Sequence, residues 1–422
     1  MTCTVLLRIP SAMMWVHIID RYPHLHGVLT GLLTAIGALG ILLILSVPPH
    51  WTIFILPAAI VSCLLDGFFF QSIEVVIDSA IIKILNDYKI LYGHERKWGK
   101  YTSALMTLVI AYFLKDDHDF DTLIIILLLG SVALFLLSLS TSVQSADPTL
   151  LLGKQPLLNP EIVYKPYHLF GEHLSHISEE DASMLQRITT THSKFIPSIT
   201  DLYPSFELAR LPFPPVSSSS IVVLSLFRSV DDQDEQEKRI ERSILLSLLF
   251  LGTVYGMTQS MIYLFLYDTF KVPMPILGLV GFMMIMSSPL AEHWFHRVSS
   301  PPWIIPAFSY VALLSSTIAY MYLIPDTILT LILVVFLQLC QGLSFHFIWL
   351  SAIQKVNTVL LTDDKRIILK GSMSAVYSHL GYALGILITG YLLTNQVYSI
   401  YEYSIPLTLL SAILTWEWSF CE

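Results

Sequence analysis

The sequence predicts an all-α, multi-pass membrane protein, and three observations carry that prediction. Of its 422 residues, 54% are hydrophobic and only 13% charged, against about 25% charged in soluble domains. Apolar runs such as "GVLTGLLTAIGALGILLILSV", "DTLIIILLLGSVALFLLSLS" and "TILTLILVVFLQLCQGLSF" recur along the chain, each reaching the ~20 residues a membrane helix needs. All but Arg8, Lys115 and Lys271 of the 23 lysines and arginines fall in every second connection between those runs.

The runs place about eleven spans. The first, 4–19, is short and interrupted by Arg8 and Pro10; the second is 27–47. The third, 52–82, would be about 46 Å long at 1.5 Å per residue, longer than the hydrocarbon core. Spans 99–115 and 121–141 close the first group. Residues 142–242 change texture: "TSVQSADPTLL", "HISEEDAS", "LPFPPVSSSS" and "DDQDEQEKRIERS" replace apolar runs with proline, serine and charge. That composition predicts a largely disordered linker, in which "IVVLSLF" (221–227) can dock locally and the serines can be phosphorylated. Six spans follow: 243–267, 273–291, 302–323, 327–353, 371–393 and 400–419.

Positive residues stay on the cytoplasmic side, so the basic connections and the linker are expected inside. The first span then starts outside, and we expect a helix to be missing in front of it. The expected plan is 1–141 as an N-terminal bundle of about five helices, 142–242 as a cytoplasmic linker, and 243–422 as a C-terminal bundle of six. With the missing helix restored, the halves match as six plus six, the plan of transporters built from two similar bundles.

Other classes find no support. Cys3, Cys63, Cys340 and Cys421 lack metal-like spacing. No Walker motif, GxSxG or HExxH occurs, so neither an enzyme nor an ATP-driven pump is expected. "TVLLRIPSAMMWVHII" holds an arginine and a proline and is not read as a cleavable leader. Nothing suggests nucleic-acid binding, and no cofactor or metal is expected.

Several stretches carry a family resemblance. "DSAIIKILNDYKILYGHERKWGKYTSA" contains Asp78 followed by Tyr92, Gly93, Arg96, Trp98 and Gly99 in a Tyr-Gly-x-x-Arg-x-Trp-Gly core. "WVHIIDRYPHLHG", "YGMTQSMIYLFLYD", "QLCQGLSFHFIWLSAI" and "KGSMSAVYSHLGYALGILITGYLL" add to it. Together these resemble the major facilitator superfamily, and within it the MFS-associated-domain branch related to lactose-permease-like and nucleoside–proton-symporter-like carriers. The resemblance covers all but the linker. The chain departs from it at Val16, Pro23, His24 and His26 in the "Asp-Arg" loop, at "MSSPL" (286–290), and at Gln259 and Gln341. It implies two six-helix bundles and alternating-access transport of a small polar solute, with proton symport the expected coupling. The partners expected are that solute, protons, the lipid bilayer and, through the linker, cytosolic regulators. A non-transporting receptor or scaffold of the same fold, or an inactive truncated isoform, are the alternatives.

Site candidates come from charge inside the spans. Asp66 should lie near the membrane midplane, where a carboxylate costs about 2.5–3.5 kcal/mol on insertion scales and reads by default as functional. With Glu74 and His346 it forms the proton-coupling set. Gln259, Tyr263, Gln338, Gln341, His379 and Tyr382 are the expected cavity residues, and Gly381, Gly385 and Gly390 are expected to serve helix packing. The charged "LYGHERKWGKYTS" is expected as a loop forming a cytoplasmic latch. Arg96 would pair with Asp78 or Asp20, with Arg21, Lys97 and Arg366 nearby, and Glu292 and Arg297 would make the matching latch of the second half.

Overall fold

The computed structural model describes residues 2–22, 25–47, 52–85, 92–114, 120–140, 235–295, 297, 303–324, 327–359, 363–393 and 399–420. The linker expected at 142–242 lies outside them as far as residue 234. Helix α1 (Thr2–Arg21) precedes α2 (His26–Leu45). Helix α3 (Thr52–Leu65) runs through a π turn (Asp66–Phe70) into α4 (Ser72–Leu85), followed by α5 (Tyr92–Phe113) and α6 (Phe120–Ser140). Beyond the linker, α7 (Glu235–Ser260) breaks at Met261 and resumes as α8 (Ile262–Phe270). Then come α9 (Met274–Phe295), α10 (Ile304–Tyr322) and α11 (Ile328–Val359). Helix α12 (Asp363–Ala375) passes through a second π turn (Val376–Gly381) into α13 (Tyr382–Leu392), and α14 (Ser399–Phe420) follows.

Among the described residues, eight helices are long and apolar enough to cross a membrane, and Cys3–Ile19 is a shorter apolar one. Lipid offers no partners to backbone groups, so each must be satisfied within its own helix. Hydroxyls within the apolar helices turn back onto their own backbone: Thr30 and Thr34 donate to the carbonyls of His26 and Thr30 at 2.8 and 2.9 Å. Outward faces are apolar, with Ile53, Leu129 and Phe308 all more than 70% exposed.

Two boundaries differ from the sequence reading for one reason. The charged stretch read as a loop is helical from Tyr92, and α7 starts at Glu235 rather than 243. Both segments lack proline and are rich in Glu, Lys and Arg, which lose little side-chain freedom in a helix. Charge ends the apolar run there, but the helix continues.

Helix α2 packs along α3, the first π turn, α4 and α6, and α1 packs against that π turn and α4. Helix α11 packs along α9 and α10, α10 also touches α14, and α7 packs along α14, the second π turn and α13. Two seams join the first set of helices to the second: α5 along α9, and α1 along α13 and the second π turn. The α7 contact is so close that a Cβ on Gly252 or Gly256 would strike the carbonyls of Tyr377 or Tyr382. Gly381 and Gly385 meet α7 backbone in the same way, whereas Gly390 and Gly99 face open space.

Candidate functional site

The first π turn opens with Asp66. Its carboxylate accepts a hydrogen bond from Gln71 Nε2 at 3.4 Å. A π turn breaks the regular i→i−4 ladder, and α1 braces it: Ser11 Oγ donates to the Gly67 carbonyl at 3.3 Å and Trp15 Nε1 to the Phe68 carbonyl at 3.0 Å. Gly67 lets α1 approach, since a Cβ there would strike the Thr4 backbone. Asp66 is thus fixed at an irregular, buttressed point of a membrane helix.

One α-helical turn beyond the π turn, Glu74 binds two arginines. Arg8 of α1 donates to one oxygen and Arg96 of α5 to the other at 3.2 Å. Arg96 also reaches Asp78 at 3.8 Å. The partner nominated for Arg96 therefore stands beside it, but Glu74, nominated for proton coupling, shares the same arginine. Asp20 and Arg21 end α1, and their side chains lie outside the described residues. His379, in the second π turn and buried, is within electrostatic reach of Arg8 and Glu74.

The matching latch expected within the second half takes a different form. Glu292, 4% exposed, pairs across the α5–α9 seam with Lys97 at 3.2 Å and Lys100 at 3.8 Å. Lys100 also donates to Ser288. Arg297 lies exposed just past α9, and Glu292 turns toward α5 because its helix face packs there. His346 is within electrostatic reach of Lys100, and Arg366 lies half-buried in α12.

The glutamines nominated together are found together. Gln338 donates to Gln259 at 2.7 Å and Gln259 to Gln341 at 3.2 Å. Tyr263, expected in the same cavity as Gln259, falls past the helix break and lines an apolar cavity of about 560 Å³ with Thr107, Ala111, Tyr267 and Leu277. It is within electrostatic reach of Tyr255 and Tyr382. Tyr255 anchors an aromatic cluster, its ring 5.0–5.8 Å from Phe345, Tyr377 and Tyr382.

Arg8, Lys100, Ser288, Tyr255 and Tyr320 are not among the site residues expected from the sequence. Arg8 had a readable signal, a cation within an apolar span. Lys100 follows Arg96 by four residues, which places both on one helix face once the segment is known to be helical. The two tyrosines carry no signal in the sequence that separates them from ordinary core residues.

A family model described as the MFS_1 like family matches residues 1–403. Among solved structures, a point mutant of the nucleoside transporter NupG superposes with a TM-score of 0.64 at 15% identity, covering 99% of this chain and 90% of that one. NupG itself superposes with a TM-score of 0.62 at 14% identity, covering 100% and 90%. No curated protein matches the chain. At these identities the likeness is one of fold.

Proposed function

The chain belongs to the MFS_1 like family, and from that premise we propose that it is a secondary active transporter carrying a small polar solute by alternating access. It is an integral, multi-pass membrane protein. The observation that carries the proposal is Glu292: a buried carboxylate on α9 whose cations, Lys97 and Lys100, stand on α5. A pair of this kind is costly to leave half-made, because an unpartnered buried charge destabilises by about 3–5 kcal/mol. Separating α5 from α9 would have to re-solvate all three groups, so the contact suits a gate with two states, closed here.

In this reading α1–α6 form one bundle and α7–α14 the other, with the linker read at 142–242 giving way to α7 at Glu235. The seams α5–α9 and α1–α13 are where the bundles rock. The distribution of lysine and arginine puts the Glu292 end of the seam on the cytoplasmic side. The solute path then runs between the bundles past the glutamine cluster, and Asp66, held at the π turn, is the proton-coupling carboxylate. Arg8, Glu74, Arg96 and Asp78 serve as the charge network that registers its state.

The test is solute-driven proton movement in proteoliposomes containing the full chain, wild type beside Asp66→Asn, across sugars, small peptides and nucleosides. Nucleosides are included because the fold is shared with a nucleoside transporter. Acidification by one solute in wild type, lost in the variant, supports the proposal. Silence across the panel in folded protein overturns it in favour of a non-transporting receptor or scaffold.

A further inference from the structure

A chain of side-chain hydrogen bonds starts at Tyr320 on α10 and ends in the protein interior. The Tyr320 hydroxyl is 3.2 Å from Gln338 Oε1 and 3.3 Å from the Val334 carbonyl. Gln338 Nε2 donates to Gln259 Oε1 at 2.7 Å, and Gln259 Nε2 donates to Gln341 Oε1 at 3.2 Å. Tyr320, Gln338 and Gln341 are 0–1% exposed. There the chain stops: among the described residues, Gln341 Nε2 is buried without a hydrogen-bond partner. The Ser260 hydroxyl, next to Gln259 at the break between α7 and α8, is buried and has no partner among the described residues either.

Each amide offers one acceptor and one donor group, so the chain has a direction. The Tyr320 hydroxyl has one hydrogen and two acceptors in reach. Given to Gln338, it fixes the direction above, and Gln341 presents an NH2 group. Given to Val334, it leaves the hydroxyl oxygen to accept from Gln338. All three amides then turn over, every contact survives with donor and acceptor exchanged, and Gln341 presents a carbonyl oxygen. No backbone atom moves in this exchange.

We propose that the open end of Gln341 is a hydrogen-bonding seat for an uncharged polar group of the transported solute, and that Tyr320 sets, through Gln338 and Gln259, whether the seat donates or accepts. This rests on the transport reading above. The group is uncharged because the chain carries no formal charge to meet an ion in a buried place. A purely structural cluster would close its last donor on a backbone carbonyl, as the Ser344 hydroxyl does on Cys340 at 2.7 Å; this one leaves a buried amide N–H open at the cost of its desolvation. A site of fixed polarity rejects a partner lacking the matching group by about 10⁴-fold. A chain that can reverse accepts both polarities, and Tyr320 is its positioning residue.

Uridine and cytidine test this, since their pyrimidine edges exchange donor and acceptor at adjacent positions. Uptake of each is measured in proteoliposomes of wild type, Gln341→Met and Tyr320→Phe, with fucose and a dipeptide alongside. We expect the wild-type KM values for the two nucleosides to lie within about tenfold of each other. Gln341→Met should raise both by about tenfold or more with maximal rate nearly unchanged. Tyr320→Phe, which removes the hydrogen that chooses direction and leaves the seat in place, should change the ratio of the two KM values by about fivefold or more. A merely structural loss would lower active protein and leave that ratio alone. If Gln341→Met fails to fold, the Tyr320→Phe ratio decides. Unchanged KM values in Gln341→Met, or an unchanged ratio in Tyr320→Phe, overturn the seat while transport stands. If fucose or the dipeptide is taken up and neither nucleoside is, its own KM in Gln341→Met decides, and an unchanged value overturns the seat alone; uptake of nothing by folded wild type overturns both.

Discussion

Lys97 of α5 meets Glu292 of α9 at 3.2 Å, joining two helices that share no loop. The carboxylate is buried while the lysine side chain is 35% exposed, so removing the acid should cost less than the full penalty for a buried pair. We expect Glu292→Gln to lower stability in detergent by about 2 kcal/mol and to raise basal leak through the carrier. The exchange Lys97→Glu with Glu292→Lys should recover at least half of the loss, measured as thermal unfolding midpoints and proteoliposome leak.

Glu74 holds Arg8 and Arg96 at once. Glu74→Gln removes the carboxylate that Arg8 and Arg96 share and leaves Arg96 with Asp78, and uptake should fall by about tenfold or more, a loss of at least ~1.4 kcal/mol in transition-state terms. Arg8→Gln combined with Glu74→Gln should be milder than Glu74→Gln alone, because neutral partners leave no stranded charge. Equal damage in the single and double variants would count against the network.

Asp66→Asn keeps an oxygen to accept from Gln71, so its fold should be nearly unchanged, within about 0.5 kcal/mol of wild type. Solute-driven proton movement should nonetheless disappear. A variant that still couples, with intact folding, would move the coupling site elsewhere.

Gly252 and Gly256 face carbonyl oxygens that cannot move without breaking their own helix. Either glycine changed to alanine should cost about 2 kcal/mol or more through overpacking. Gly390, with open space above it, should gain up to about 1 kcal/mol from the same change because alanine favours helix. Melting temperatures of the three variants check the contrast.

The helical, membrane-spanning class was legible because lipid demands long apolar runs closed within themselves, and eight of the eleven spans read match helices long and apolar enough to cross. The ends were less so: "GHERKWGK" is both charged and helix-forming, so the place where the membrane stops and the place where the helix stops separate. The π turns left no clear mark, since "DGFFF" and "VYSHLG" differ little from ordinary helical sequence. Asp66 stood out by its depth in an apolar span, whereas the meeting of Gln259 with Gln338 and Gln341, 79 and 82 residues away along the chain, is closed by tertiary packing. The partners of Glu292 were not legible either, because its spacing from Lys97 along the chain is large and only tertiary packing closes it. Tyr263 follows a helix break at Met261 that has no plain mark in the sequence.

The pairing of Arg8 with Glu74 also sets an order of events during synthesis. Arg8 leaves the ribosome 66 residues before its carboxylate partner, roughly 3–13 s earlier at ordinary elongation rates. Over that interval α1 carries a cation and a proline that make it a poor candidate for release into lipid by itself. It must wait beside the insertion machinery, or at the bilayer surface, until α4 arrives to neutralise it. The helix that comes earlier in the chain is therefore admitted to the membrane by the one that comes later.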